Sequence, residues 1–228
     1  MHMSDGIVSA PTSLLFGVIA AAGLAVCSRR ARDELDERTV PLAGLVAAFI
    51  FAVQMINFPI LPGVSGHLLG GALAAILVGP YTGALCIAIV LVVQSLLFAD
   101  GGVTALGTNI TNMALFGVAG GYGAAVLLYA LVRRNRTEVS IPTLGRVAFL
   151  SAMIGTVCAA MGFVLEYAIG GAVHTSLTSV AGYMFGTHVL IGIGEGIITA
   201  VTVMAVARSR PDLVYLLRTS RAGAEVNA

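Results

Sequence analysis

The first two residues of the chain, Met1-His2, have the types and spacing of a metal chelator. A free α-amine followed by histidine can bind one ion through three nitrogens: the amine, the amide nitrogen of residue 2 and Nδ1 of His2. The three nitrogens lie in one plane, and one further imidazole would complete a four-nitrogen square. Such a tetragonal set suits nickel, cobalt or copper. A histidine at position 2 is also often only a solvated terminal residue, so the placement of the other histidines matters.

Composition indicates an integral membrane protein. Only 10% of the 228 residues are charged and 58% are hydrophobic, whereas soluble domains carry roughly 25% charged residues. The net charge is +1 and every basic residue is arginine, with no basic stripe of the kind that binds nucleic acid. The three cysteines lie in apolar runs without CxxC spacing, which favours buried hydrophobic residues over disulfides or zinc ligands. They are Cys27, Cys86 and Cys158.

Seven apolar runs are long enough to cross, or nearly cross, a hydrocarbon core of about 30 Å. They cover residues 11–28, 40–56, 66–79, 80–98, 109–132, 147–170 and 182–207. The third run is short, and Gly79-Pro80 ends it. We therefore predict an all-α integral membrane protein with seven transmembrane helices. A single membrane domain would cover residues 1–207, with an N-terminal segment (1–10) before the spans (11–207), and residues 208–228 would form a short cytoplasmic tail.

The arginines predict the orientation of this membrane domain. All twelve fall on one side of a seven-span chain, in two loops and the tail: Arg29, Arg30, Arg32, Arg38, Arg133, Arg134, Arg136, Arg146, Arg208, Arg210, Arg218 and Arg221. The positive-inside rule makes that side the cytoplasm, so the amino end is expected outside and the carboxyl end inside. No basic residue precedes the first apolar run, which argues against a cleaved signal peptide.

The same topology places all four histidines, His2, His67, His174 and His188, at or near the outer side. Arginines inside and imidazoles outside favour a protein that handles a metal arriving from outside. Which histidine would complete the four-nitrogen square stays open at this point.

Polar residues within the spans are functional candidates, because placing them in lipid is costly. Gln94, Asn109 and Asn112 would lie near the outer end, where they suit a polar cluster that orients ligand groups. Hydrogen bonding between helices is the alternative. The sequence assigns no role to Glu166 or Glu195, and it contains no HExxH, GxSxG or Walker A motif, which argues against an enzyme.

Three segments resemble the CbiM/NikM family, the substrate-binding membrane (S) components of energy-coupling factor (ECF) transporters for cobalt and nickel. They are residues 1–6, 65–80 and 93–113, and the family start commonly reads Met-His-Ile-Pro-Asp-Gly where this chain has Met-His-Met-Ser-Asp-Gly. His-Leu-Leu-Gly-Gly at 67–71 and Asp-Gly-Gly at 100–102 are the most specific parts of the likeness, which covers nearly the whole chain. Within that family, the sequence resembles the cobalt branch more than the nickel branch.

The resemblance implies a six-helix S-component core with an extra N-terminal helix, in agreement with the seven runs. It also implies that Met1, His2 and His67 hold the metal, with His67 as the further imidazole. His174 and His188 match no family motif, and each is either a capture ligand or an ordinary polar residue. Because late metals bind deprotonated ligands, affinity is expected to fall in acid.

The resemblance implies that the chain imports Co(II) as its transported substrate and also binds Ni(II). The imported cobalt would serve cobalamin synthesis. The expected partners in a prokaryotic cytoplasmic membrane are a transmembrane coupling (T) subunit and ATPase subunits, and a small auxiliary membrane subunit is left open. Two pairs of small residues in the second span, Ala43/Ala47 and Ala48/Ala52, form a candidate contact with the coupling subunit, although ordinary helix packing explains them as well. The alternatives are a nickel-specific S component, a stand-alone transporter, which would be expected to show internal repeats, and an intramembrane metalloenzyme.

Overall fold

The structure, a computed structural model, describes residues 1–134 and 139–218 and is mostly helical. The helices are α1 (Ala10–Arg30), α2 (Thr39–Gln54), α3 (Gly71–Val78), α4 (Pro80–Leu97), α5 (Leu106–Ile110), α6 (Val118–Arg133), α7 (Ile141–Gly170) and α8 (Leu177–Ser209). A π-helical segment, Thr111–Gly117, joins α5 to α6. Each of the seven apolar runs found in the sequence contains one of these helical segments.

Five helical stretches of the described chain are long and apolar enough to cross a membrane: Ala10–Asp33, Pro80–Leu97, Leu106–Arg133, Ile141–Gly170 and Leu177–Ser209. Helix α2 is shorter, with 16 residues. Helix α3 has eight residues, all buried, and is only about 12 Å long at 1.5 Å per residue. These helices make the chain a multi-pass membrane protein, while seven complete crossings and the orientation of the termini stay predictions.

A small antiparallel sheet, absent from the all-α prediction, lies at the end of the bundle that holds the amino terminus. Its strands are β1 (His2–Met3), β2 (Phe58–Leu61) and β3 (Val64–Gly66), in the order β1-β3-β2. His2 pairs with Ser65 and Met3 with Val64. Strands of two to four residues are too short to show the alternating pattern by which a strand is recognised in a sequence.

The N-terminal segment is tied into the bundle along its length. Backbone hydrogen bonds join it to the loops after β2, α4 and α7 and to the last residue of α7: Ser4 N–H to Gly63 O (2.9 Å), Gly102 N–H to Met3 O (2.9 Å), Ala172 N–H to Ile7 O (2.9 Å) and Ser9 N–H to Gly170 O (2.7 Å). The side chain of Asp5 adds a contact, because its Oδ1 accepts the backbone N–H of Thr104 at 2.7 Å. The amino terminus is therefore a buried part of the fold.

The opposite end of the bundle has its own polar contacts. The carboxyl group of Glu34 is buried and accepts the backbone N–H groups of Tyr81 (3.2 Å) and Thr82 (2.7 Å) in the first turn of α4. Asp36 pairs with Arg218 at 3.2 Å, so the chain after α8 lies beside the α1–α2 connection. Arg136 and Arg221, used in the topology prediction, fall outside the described residues.

Candidate metal centre

The pairing of β1 with β3 brings the amino terminus to His67. The nitrogen of Met1 contacts Nε2 of His67, and the rings of His2 and His67 lie with their centroids 4.5 Å apart. All three residues are buried, with His2 the most exposed at 3%. The structure therefore brings the three residues singled out in the sequence into one pocket.

The surroundings of His67 fix the tautomer of its imidazole in which Nε2 can bind a metal. Its Nδ1 lies 2.7 Å from the backbone oxygen of Leu68. A carbonyl can only accept, so Nδ1 carries the proton and Nε2 keeps a free lone pair on the side of Met1. Proteins commonly orient a metal-binding imidazole in this way, because a backbone carbonyl holds the ring nitrogen that does not bind the metal, here Nδ1.

The loop after α4 shapes the pocket around His2. Asp100 Oδ2 lies 3.7 Å from Nε2 of His2, and the buried side chain of Gln94 also interacts with this ring. Gly101 has a φ of +89°, and a Cβ there would lie 2.9 Å from Nδ1 of His2. A residue without a side chain is thus needed for the backbone to pass so close to the imidazole.

Burial sets the charge state of the donors at the amino terminus. Loss of solvent lowers the pKa of the Met1 amine well below its ordinary value of 8.0. Burial, together with the neighbouring amine, also lowers the pKa of the His2 imidazole from 6.5 to about 2. The His2 ring is therefore neutral near pH 7, and burial favours the neutral form of the amine, so both can offer a lone pair to a metal.

The polar residues that the sequence analysis singled out within the spans lie in two different parts of the structure. Asn109 holds the N-terminal segment, because its Oδ1 accepts the N–H of Met3 at 2.8 Å and its Nδ2 donates to the carbonyl of Met3 at 3.0 Å. Asn112 instead donates to Oε2 of Glu166 at 2.6 Å, which joins the π-helical segment to α7. Gln94 and Asn109 thus lie beside the donors, and Asn112 makes a contact between helices.

Glu195 in α8 fixes the segment that carries His67. Its two carboxyl oxygens accept the N–H groups of Leu69 (2.8 Å) and Gly70 (3.0 Å), and the hydroxyl of Thr156 donates to it at 2.9 Å. Gln54 in α2 donates to the carbonyl of Leu69 at 2.7 Å. Gly70, with a φ of +80°, turns the chain into α3.

The remaining histidines differ in their surroundings. His174 lies exposed in the loop after α7, whereas His188 in α8 is fully buried. Within the described ranges, no three His, Cys, Asp or Glu side chains cluster as a metal site. A metal centre here therefore depends on backbone nitrogens in addition to the two imidazoles.

Sequence reasoning missed the contact of Glu195 with the His67 segment and the approach of Asp100 to His2. Glu195 is separated from Leu69 by 126 positions, and nothing local indicates that pairing. The Asp-Gly-Gly sequence was a usable signal for Asp100, because two glycines after an acidic residue permit a tight approach of backbone to a neighbouring side chain.

Comparison with known proteins shows the family to which this chain is related. The family model of CbiM, described as a cobalt uptake substrate-specific transmembrane region, matches residues 2–213. A putative fused nickel transport protein NikMN of Archaeoglobus fulgidus is 41% identical over 94% of this chain and 68% of its own length. A cobalt transport protein CbiM of Sorangium cellulosum is 28% identical over 97% of each chain.

A solved structure shows the same architecture. It is a crystal structure described as a truncated transition metal transporter, 26% identical to this chain, with a TM-score of 0.77 over 92% of this chain and 99% of that one. The family model matches far more than half of the chain, and the relatives match along nearly all of it. The chain belongs to the CbiM family of cobalt uptake substrate-specific transmembrane regions.

Proposed function

We propose that the chain is the substrate-specific membrane component of an ATP-driven importer of the ECF type, which binds Co(II), and also Ni(II), from outside the cell. The observation that carries this proposal is the contact of the Met1 amine with Nε2 of His67 in a buried pocket beside His2. The ion is the transported substrate in this proposal, and no resident cofactor is required.

The proposed ligands are the amine of Met1, the amide nitrogen and Nδ1 of His2, and Nε2 of His67. The neutral state of the amine and of His2 supports this set, because metal binding then displaces few protons. A plane of four nitrogens is compatible with Ni(II) as well as Co(II). Relatives named for nickel transport and for cobalt transport are both similar to this chain.

The chain requires partners to use ATP. A nucleotide-binding P-loop needs a lysine, and the chain contains none. We propose that a transmembrane coupling subunit and ATPase subunits supply the energy in a prokaryotic cytoplasmic membrane, with cobalamin synthesis as the destination of the cobalt. Exposed small residues on α2, Ala48 and Ala52, support a close approach of a coupling subunit's helix to this face.

Adding one residue before Met1 tests the chelate directly. The proposal requires Met1 to be the first residue, with a free amine, and an added glycine converts that amine into an amide. Because Met1 is only 1% exposed, the extra residue must also enter a filled pocket. We expect tight binding of Co(II) and Ni(II) to the native chain and at least a hundredfold weaker binding to the extended one, measured by calorimetric titration of purified protein.

A glycine added after Ala228 is the matched control, since it changes the length of the chain equally and leaves the pocket intact. Mass spectrometry of each sample checks that Met1 is retained and unformylated. Equal tight binding by the native chain and the chain extended before Met1 would rule out the proposed site.

A further inference from the structure

His188 in α8 has a buried nitrogen that the proposed chelate leaves unused. The residue is 0% exposed, and its Nδ1 lies 2.7 Å from the backbone oxygen of Met184. The carbonyl can only accept, so Nδ1 carries the proton and Nε2 keeps a lone pair. That Nε2 has no hydrogen-bond partner among the residues that the structure describes. A buried acceptor without a donor is costly, which points to a partner that arrives with the substrate.

The position of His188 connects it to the metal centre. It lies close enough to interact electrostatically with the Met1 amine and with the ring of His67. It precedes Glu195 by seven residues, which places both on one face of α8, two turns apart. Glu195 contacts the segment that carries His67, so this face of α8 faces the centre.

His188 is nevertheless not one of the direct ligands. Over residues 1–134 and 139–218, no three histidine or acidic side chains cluster as a metal site. The proposed set of four nitrogens is complete without His188, so its Nε2 is left for a group that the ion carries. A single water molecule, bound to the ion and donating to Nε2, is such a group.

The two metals differ in their need for such a water. Ni(II) in a plane of four strong nitrogen donors is stable without axial ligands, whereas Co(II) in the same plane retains one or two. An axial water donates strong hydrogen bonds, and in a buried pocket it needs an acceptor.

We infer that His188 accepts a hydrogen bond from a water bound axially to the ion and thereby favours Co(II) over planar Ni(II). This inference rests on the proposed function and names the residue that sets metal preference at the same site. His188 is a positioning residue in this role, because it acts on the ion through the water.

Replacement of His188 by leucine and by glutamine tests the inference. Leucine removes the acceptor at similar volume, and glutamine restores an oxygen acceptor. Loss of one hydrogen bond predicts about fivefold to tenfold weaker Co(II) binding for His188→Leu, with Ni(II) binding within twofold of native and a changed Co(II) d–d absorption spectrum. His188→Gln is expected to recover most of the Co(II) affinity and the native spectrum.

His174→Leu is the matched control, since His174 is the exposed histidine of the loop after α7, and it should leave both affinities unchanged. Equal losses of Co(II) and Ni(II) in His188→Leu would show a purely structural role and overturn the inference, as would no change for either ion. Failure of the native chain to bind either ion would instead defeat the proposed function, so the two failures are distinguishable.

Discussion

At the scale of single residues, the candidate centre is made of bases that burial keeps neutral. The amine of Met1 and the ring of His2 are removed from water, which penalises their charged forms. Their pKa values in the folded chain lie below those in an unfolded chain. The unfolded chain therefore binds more protons in the window below about pH 8, and the stability of the ion-free protein rises as the pH approaches 8 from below.

The same pKa shifts predict how many protons leave when a metal binds. With the amine and His2 already neutral, only the amide nitrogen of His2 must lose a proton, so we expect about one proton released per ion at pH 7. An amine with its ordinary pKa of 8.0 would release a second one. Calorimetric titration in buffers of different ionisation enthalpy measures this number, and a value near two would contradict the buried, neutral amine.

The proton count also refines the expectation that acid weakens binding. Because the pKa of His2 is lowered to about 2, its protonation does not compete with the metal at pH 5 or 6. Protonation of the His2 ring should therefore not contribute to the loss of affinity in that range.

At the scale of structural elements, the centre depends on a short connection between β3 and α3. This connection, residues 67–70, carries His67 and has little regular structure of its own. Glu195 from α8 and Gln54 from α2 hold its backbone. Two helices distant in sequence thus fix the position of one proposed ligand.

Replacement of Glu195 by glutamine is predicted to weaken Co(II) and Ni(II) binding together. The amide keeps one acceptor oxygen for two backbone N–H groups, so the segment that carries His67 loses a hydrogen bond, and we expect about tenfold lower affinity for both ions. Equal loss for both ions distinguishes this change from His188→Leu, which should affect Co(II) selectively. Calorimetric titration and the Ni(II) d–d spectrum provide the measurements.

Glu166→Gln is the matched control for this prediction. Glu166 is also a buried carboxyl group of a long helix, but it contacts Asn112 and not the residues that bear the proposed ligands. Its replacement should leave both affinities within twofold of native. If Glu166→Gln weakens binding as much as Glu195→Gln, the effect is a general loss of packing and the positioning role of Glu195 is wrong.

At the scale of the whole molecule, the chain is a helical membrane bundle with its amino terminus folded into one end. Hydrogen bonds tie the first nine residues to the loops after β2, α4 and α7, so the proposed ligands are part of the tertiary structure. The amino terminus supplies the proposed ligands for an ion, and the sequence contains no lysine of the kind that a P-loop uses.

Reconstitution into lipid vesicles separates binding from uptake. We expect the chain alone to bind Co(II) and Ni(II) but not to accumulate them, because accumulation against a gradient needs an energy source. With a coupling subunit and ATPase subunits, accumulation should appear and should depend on ATP. The chain extended before Met1 is the control, and it should fail to support accumulation even with all partners present. Concentrative uptake by the chain alone would favour a stand-alone transporter.

The sequence by itself determined the class of the protein and the chemistry of its first residues. Long apolar runs must be buried in lipid or protein as helices, and each of the seven runs does contain a helix. Met1-His2 is a local pattern, so the chelate that it predicts can be recognised without a fold. The resemblance to the CbiM/NikM family is confirmed by the family model.

Only the tertiary structure decided which groups meet those first residues. The contact of Met1 with His67 spans 66 positions and depends on two short paired strands, and the contact of Glu195 with Leu69 spans 126. Neither contact produces a periodic pattern in the sequence, because a single hydrogen-bonded side chain imposes no pattern on its neighbours in the chain. The burial that keeps the Met1 amine and His2 neutral is likewise a property of the assembled pocket, since desolvation depends on every element packed around them.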